Sequence, residues 1–278
     1  MISLEKPRRA YAEELGRISD TADRRIVEAF ARVPREQFLA AGPWYLLGER
    51  GYKRTRDADP RQLYQDVVVA IDPLREINNG EPSLHMRLLG ALAVEPGARV
   101  LHVGCGTGYY TAILADLVGP QGRVIAVEYL PEFAARMKEN LAAYETISVV
   151  CGDGTVYDPG QVDAIYVNAG VTEPAPLWLD RLVEGGRLLL MLTARDQWGR
   201  VLKVVRRLAG FAAQFLGPCG FIACVSARSA ETEAALGAAL QAGGWEEVRS
   251  LRRDTHDRAE SCWLHTDRYC LSRLPVPD

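Results

Sequence analysis

The sequence predicts an α/β fold: a Rossmann-like, mostly parallel sheet with helices on both faces, an N-terminal helical cap and a C-terminal α+β extension. Three observations predict it. From Pro82 to about Leu192, strand-length apolar runs alternate with stretches of helical period; a glycine-rich turn follows the first such strand; and beyond Trp198 the apolar period shortens to two. The expected domains are 1–80 (cap), 81–218 (core) and 219–278 (extension).

Residues 1 to about 45 read as helical. Ile26, Val27, Phe30 and Val33 repeat at helical spacing behind Asp20 or Thr21 as a cap, and Pro34 ends the run. From Gly42 to Asn79 the chain is irregular and rich in aromatics (Trp44, Tyr45, Tyr52, Tyr64), closing on Val67 to Ile71. These aromatics either pack the cap or wall a substrate cavity. A helix at about Leu84 to Leu92 is stopped by Pro96-Gly97, and Arg99 to Val103 reads as a buried strand. Then follow a helix at Tyr109 to Leu117, a strand at Arg123 to Glu128, and a helix opened by Pro131 with Phe133, Met137 and Leu141 on one face. Ile147 to Cys151, Val162 to Val167 and Arg187 to Leu192 are further strands, the last two separated by a helical segment around Leu177 to Leu182. Connections of this length make right-handed βαβ units. After them come edge strands at Val201 to Val205, Phe211 to Leu216 and Phe221 to Val225, a helix at Thr232 to Gln241, and a strand pair near Trp263 and Tyr269.

With 48% hydrophobic and 25% charged residues, the 278-residue chain is an ordinary globular one, and its net charge of −3 offers no broad basic field. Nucleic acid is not an expected partner. No apolar run approaches the roughly 18 residues of a membrane span, and the charged N-terminus lacks the pattern of a secretory signal. A cytoplasmic location, without membrane partners, is the expectation. The six cysteines contain no C-x-x-C pair, and they read as reduced thiols, mostly buried. A zinc site would need Cys219, Cys224, Cys262 and Cys270, with or without His265, to converge from separate segments; no metal site is expected. The extension is expected to serve as a lid or to pair edge strands in an oligomer.

The sharpest local signal is Val103-Gly104-Cys105-Gly106-Thr107-Gly108-Tyr109, a buried strand running into three alternate glycines. Such a turn lets backbone approach a ligand closely and aims helix N–H groups at it. Its G-x-G-x-G spacing differs from the dinucleotide fingerprint G-x-G-x-x-G, which argues against a nicotinamide oxidoreductase. Glu128, twenty residues past Gly108, ends the next strand in position to accept from ribose hydroxyls. Asp153, between Gly152 and Gly154, follows the strand after that, where it can receive the amino group of an adenine.

The joint pattern resembles class I methyltransferases. Over about residues 26 to 195 the chain resembles the protein-L-isoaspartate O-methyltransferases, on Val33-Pro34-Arg35-Glu36-Gln37-Phe38, Gly104 to Tyr110, Gly122 to Glu128, Gly152-Asp153-Gly154, Asp163 to Val167 and Leu182 to Leu188. The resemblance implies S-adenosylmethionine as cofactor, with S-adenosylhomocysteine as product. It implies Gly104, Cys105, Gly106, Thr107 and Gly108 around the methionine moiety, Glu128 and Tyr129 at ribose and adenine, and Asp153 with Gly154 at the adenine. Asn78, Asn79, His85 and Asn168 complete the candidate cofactor set. His85 has a second reading as a packed helix residue, and Asn79-Gly80 has one as a tight turn that touches no ligand. His102, inside its strand, reads as a core residue. The family's Thr-Ile-Ser-x-Pro segment is replaced here by Asn78-Asn79-Gly80-Glu81-Pro82, so Gly80 stands where the serine would be. Asn79 and Glu81 are the substrate-facing candidates.

Methyl transfer from a sulfonium is an in-line displacement that needs alignment and exclusion of water, not a base. The sequence therefore predicts a methyltransferase acting on a peptide or protein carboxylate, isoaspartyl or related. A small-molecule acceptor, or a non-catalytic cofactor-binding module, is the alternative.

Overall fold

The computed structural model describes residues 3–277. In chain order it has helices α1 (Glu5–Ile18) and α2 (Arg24–Arg32), hairpin strands β1 (Tyr45–Gly48) and β2 (Gly51–Arg54), the short pair β3 (Ala70–Asp72) and β4 (Ile77–Asn78), and helix α3 (Pro82–Leu92). The regular part continues with β5 (Arg99–Val103), α4 (Tyr109–Val118), β6 (Arg123–Glu128), α5 (Pro131–Asn140), β7 (Ile147–Cys151), β8 (Val162–Val171), α6 (Pro176–Arg181) and β9 (Leu182–Thr193). It closes with β10 (Trp198–Arg207), β11 (Gly210–Gly220), α7 (Ala230–Ala242), β12 (Ser250–Arg252), β13 (Cys262–His265) and β14 (Cys270–Ser272). The alternation over 82–193 is the predicted one, and the fold is Rossmann-like α/β.

The chain divides into two compact units. One runs to Ala98 and resumes over Cys105–Gly152; the other comprises Arg99–Gly104 and the chain from Asp153 on. In the first, α2 is capped by Asp23, whose side chain accepts from the Arg25 N–H, two or three residues past the predicted cap. Its buried face carries Ile26, Val27 and Phe30 as read, with Ala29 and Ala31. The stretch predicted to be irregular holds two antiparallel pairs, β1–β2 and β3–β4. Leu39, Trp44, Leu63 and Val69 form their core, so Trp44 is cap packing, while Tyr45 is exposed.

Arg35 ties this cap together. Fully buried, its guanidinium donates to the carbonyls of Leu63, Gln65 and Val67 and to the Asn79 amide oxygen. Among the described residues no carboxylate pairs with it, so aligned carbonyl dipoles offset the burial of the charge. Helix α3 ends three residues before Pro96, at Ala93 in the left-handed conformation. Strands β6 and β7, both formed where predicted, pair in parallel, Val124 opposite Ile147 through Glu128 opposite Cys151.

In the second unit β5, β8 and β9 are parallel neighbours; β9, β10, β11, β12, β14 and β13 then follow with every pairing antiparallel. The antiparallel part is therefore longer than the few predicted edge strands. Strands β10 and β11 extend well beyond Val201–Val205 and Phe211–Leu216, since their pairing registers run on to Gly220. The predicted strand at Phe221 to Val225 is not formed. That segment makes one isolated bridge, Ala223 with Gly170, and carries hydrogen bonds between Gly170 and residues 222 and 224. Its apolar period of two was real, but no strand pairs with it over more than that bridge.

Candidate functional site

Strand β5 delivers the chain to the turn 104–108, whose glycines have φ of +74° (Gly104), +56° (Gly106) and +97° (Gly108). All three lie in the left-handed region that L side chains avoid, which is why glycine recurs at alternate positions. A Cβ on Gly108 would also press on Met137 and Leu141 of α5 and its end, at 3.0 Å each. Between them, Thr107 is buried and its carbonyl accepts from Asn140 Nδ2 at 2.9 Å. Cys105 is buried, its thiol donates to the Val127 carbonyl, and burial, aided by the charge of Glu128, pushes its pKa well up. It is an inert packed thiol rather than a nucleophile.

Glu128, 6% exposed, is bound to this turn. Its Oε2 accepts from the Gly106 N–H at 2.7 Å and its Oε1 from the Leu130 N–H at 3.0 Å. Burial raises its pKa against the opposing pull of these N–H donors. Each oxygen keeps a second lone pair for another donor. Tyr129, next in the chain, is 47% exposed.

The loop before α3 is assembled around His85. That side chain is fully buried and its ring stacks on Tyr110 at 3.6 Å between centroids, with the planes 10° apart. Gly80 has φ +73°, and a Cβ there would lie 2.2 Å from His85 Nε2. The missing serine thus has a physical reason: in this arrangement the imidazole occupies the space its side chain would need. Asn78 Oδ1 accepts from the Gly80 N–H at 2.9 Å, so the chain turns at Asn79-Gly80 with the Asn78 side chain closing the turn. Asn79 is buried, and its Oδ1 accepts from the Val69 N–H and from Arg35. The Oδ1 of this substrate-facing candidate thus fastens the cap. Glu81 is exposed, and partial desolvation followed by the charge of Asp66 raises its pKa.

In the other unit, a Cβ on Gly104 would meet the Asn168 carbonyl oxygen at 2.9 Å, so β8 passes close against the bare backbone. The Asp153 carboxylate takes the Thr155 N–H and hydroxyl on Oδ1 and the Ser226 hydroxyl on Oδ2. Desolvation works against these bonds, yet together they hold its pKa below the ordinary value. The Gly154 carbonyl accepts from Trp178 Nε1 at 2.8 Å, and a Cβ on Gly154 would run into Val103 at 2.6 Å. His102 is buried in β5, stacked near Tyr166, and burial drives its pKa down to about 3, so it is the neutral core residue expected.

Ser226 escaped the sequence reading because nothing local marks a serine 73 residues from its partner. The same is true of a group of four side chains. Cys262, Cys270 and His265, which the sequence spacing does not mark as ligands, lie together, and the fourth member is His256, which no sequence pattern singles out. Cys219 and Cys224 do not belong to it.

A family model described as Protein-L-isoaspartate(D-aspartate) O-methyltransferase (PCMT) matches residues 10–229. Relatives carrying the name protein-L-isoaspartate O-methyltransferase include one from Thermotoga maritima, 33% identical over 193 residues, covering 67% of this chain and 53% of the relative. Another, from Aeropyrum pernix, is 36% identical, covering 66% of each. A third, from Anaeromyxobacter sp., is 32% identical, covering 78% of this chain and 83% of its own. The chain thus spans about half the length of the Thermotoga protein and just under two thirds of the Aeropyrum one. A solved protein-L-isoaspartate O-methyltransferase superposes with a TM-score of 0.64 at 25% identity, over 83% of this chain and 69% of that one. A second, from Plasmodium falciparum in complex with S-adenosyl-L-homocysteine, gives 0.62 at 20% identity, over 78% and 97%, and speaks for the fold alone. No helix among the described residues is long and apolar enough to cross a membrane.

Proposed function

This chain belongs to the protein-L-isoaspartate O-methyltransferase family, and from that premise we propose that it transfers a methyl group from S-adenosylmethionine to a carboxylate of a peptide or protein. The observation that carries the reading is the turn 104–108, three left-handed glycines with Glu128 Oε2 buttressing the Gly106 N–H. A backbone so bare accepts a ligand at van der Waals distance, and an acid fixed on its own loop needs no reorganisation when a second donor arrives. The residues proposed for the cofactor are Gly104 to Gly108 for the methionine moiety, Glu128 and Tyr129 for ribose and adenine, and Asp153 and Gly154 for the adenine edge. Bound S-adenosylmethionine supplies an electrophilic methyl group on a sulfonium. The chain's own task is to hold the acceptor carboxylate in line and dry, since that group is already ionised at neutral pH and calls for no base.

The acceptor class follows from Gly80. With His85 in the space of the family's serine, position 80 carries no hydroxyl, and Glu81 adds a carboxylate at the start of α3. These features favour a peptide carboxylate other than the isoaspartyl group. The six free cysteines fit a reducing, cytoplasmic setting. The test pairs calorimetry of cofactor binding with labelled methyl transfer to isoaspartyl, aspartyl, glutamyl and C-terminal peptide carboxylates. Binding at one cofactor per chain is expected, with transfer to the isoaspartyl peptide at least ~10-fold slower than by the Thermotoga relative assayed alongside, the loss of one hydrogen bond to a charged group. Absence of cofactor binding sinks the reading. Transfer at the relative's rate removes only the altered acceptor, and binding without turnover on any acceptor leaves a non-catalytic module.

A further inference from the structure

We propose that His256, Cys262, His265 and Cys270 form a structural zinc site that pins the C-terminal hairpin, independently of what the chain methylates. One ligand atom from each of the four residues lies within 4.8 Å of all the others, and both cysteines are buried. A tetrahedral zinc with two thiolates and two imidazoles separates its ligand atoms by about 3.3 to 3.8 Å, from bond lengths of about 2.3 Å to sulfur and 2.0 Å to nitrogen. The widest separation therefore exceeds the tetrahedral one by about 1.0 to 1.5 Å at most, a gap of the size that side-chain rotation spans.

Backbone geometry builds the set. Three residues apart on a regular strand, Cys262 and His265 would project to opposite faces. The pairing of β13 with β14 skips one residue: Cys262 lies opposite Ser272, Leu264 opposite Leu271, and His265 opposite Cys270. Trp263 is the extra residue of a bulge, which returns His265 to the face of Cys262. Since Cys270 and Ser272 share a face two residues apart, Cys262, His265 and Cys270 converge. Trp263 is sent elsewhere, its ring 5.1 Å from that of Phe215 and its Nε1 donating to the Gly243 carbonyl.

The fourth donor comes from the loop between β12 and β13. His256 Nδ1 sits 2.9 Å from the Asp254 carbonyl oxygen and its Nε2 3.6 Å from Cys262 Sγ. With Nδ1–H donating to that carbonyl, Nε2 presents its lone pair to the cluster, the arrangement that orients metal-bound histidines. The Nδ1 of His265 is sealed from solvent without a hydrogen-bond partner, an unpaired donor or acceptor that a metal would satisfy. Two soft sulfurs and two imidazoles with no carboxylate select zinc over magnesium or calcium, and four protein ligands leave no open position for chemistry. The turn so fixed carries Tyr269, whose hydroxyl donates to the Thr172 carbonyl, and Arg268, which pairs with Glu173.

The experiment uses the full chain without an affinity tag, purified free of chelators and dialysed. Metal analysis is expected to find ~1 zinc per chain, falling below ~0.2 in Cys262→Ser and Cys270→Ser and unchanged in Cys219→Ser and Cys224→Ser. Cobalt(II) loaded into the parent should give the intense ligand-field bands of a tetrahedral ion with thiolate charge transfer, a readout that does not depend on the variants folding. Chelation should lower the melting temperature, and stoichiometric zinc should restore it. Parent protein exposed to zinc yet retaining less than ~0.1 equivalent overturns the proposal. So does a Cys262→Ser variant that holds as much as the parent, or a cobalt spectrum without thiolate bands.

Discussion

Glu128, the last residue of β6, and Asp153, two residues past β7, are both acids at the carboxyl end of a strand, but their surroundings differ in kind. Glu128 is buried and accepts from two backbone N–H groups; Asp153 is more open and accepts from one N–H and two hydroxyls. Burial dominates the first and lifts its pKa, while hydrogen bonds prevail in the second and lower it. Backbone donors cannot turn away, so Glu128 is permanently part of the turn it supports. Hydroxyls rotate, so the partners of Asp153 can yield to another donor. Glu128 thus shapes the turn 104–108, while Asp153 keeps partners that can be exchanged.

The contrast breaks most visibly at Glu128. Glu128→Ala should leave the Gly106 and Leu130 N–H groups unpaired and destabilise the fold by ~2 to 6 kcal/mol in chemical denaturation, from about 1 to 3 kcal/mol for each orphaned group. Cofactor affinity measured by calorimetry on the still-folded variant should fall roughly 100-fold, two charge-assisted bonds' worth. Asp153→Ala is expected to be milder, with affinity down ~10-fold and stability down by ~1 kcal/mol, because Thr155 and Ser226 can turn to solvent. An Asp153 effect equal to that of Glu128 would erase the distinction. Ser226→Ala should cost less again, ~0.5 to 1.5 kcal/mol, and move the Asp153 pKa upward by NMR titration.

The smallest effect is a difference in slope with pH. Asp153, depressed in the fold, contributes stability above the ordinary carboxylate pKa that is lost as pH falls through its folded value. Glu128, raised in the fold, contributes stability that declines as pH rises from the ordinary value through its folded one. Melting curves should therefore show the deficit of Asp153→Asn shrinking toward acid, and Glu128→Gln gaining on the parent as pH increases through the carboxylate range. Parallel curves for the two variants would contradict the assignment.

What was legible in the sequence was local. Strand β5, the glycines at left-handed positions, and Glu128 at the end of β6 follow from period and turn chemistry within a few residues, and each appears as read. Phe221 to Val225 shows the limit: its alternation is that of a strand, but strandhood depends on a partner that only the tertiary structure supplies, and here that partner is one bridge to Gly170. The serine replacement at Gly80 was visible, yet its cause, the ring of His85, lies five residues on and against Tyr110. Asn79 was placed toward substrate by position alone, while its oxygen answers to Arg35, 44 residues earlier. The cluster at His256 was hidden most deeply, because a bulge in β13 overturns the rule that residues three apart on a strand diverge.

The bond from Tyr269 to the Thr172 carbonyl and the pairing of Arg268 with buried Glu173 join residues beyond 229 to positions inside the family-matched stretch. An engineer grafting this tail onto a shorter relative would have to transplant its anchorage at 172–173 as well. Trimming it before Cys262 would strand the Thr172 carbonyl and leave Glu173 with the Thr232 hydroxyl in place of its cation, so tail and docking pair belong together.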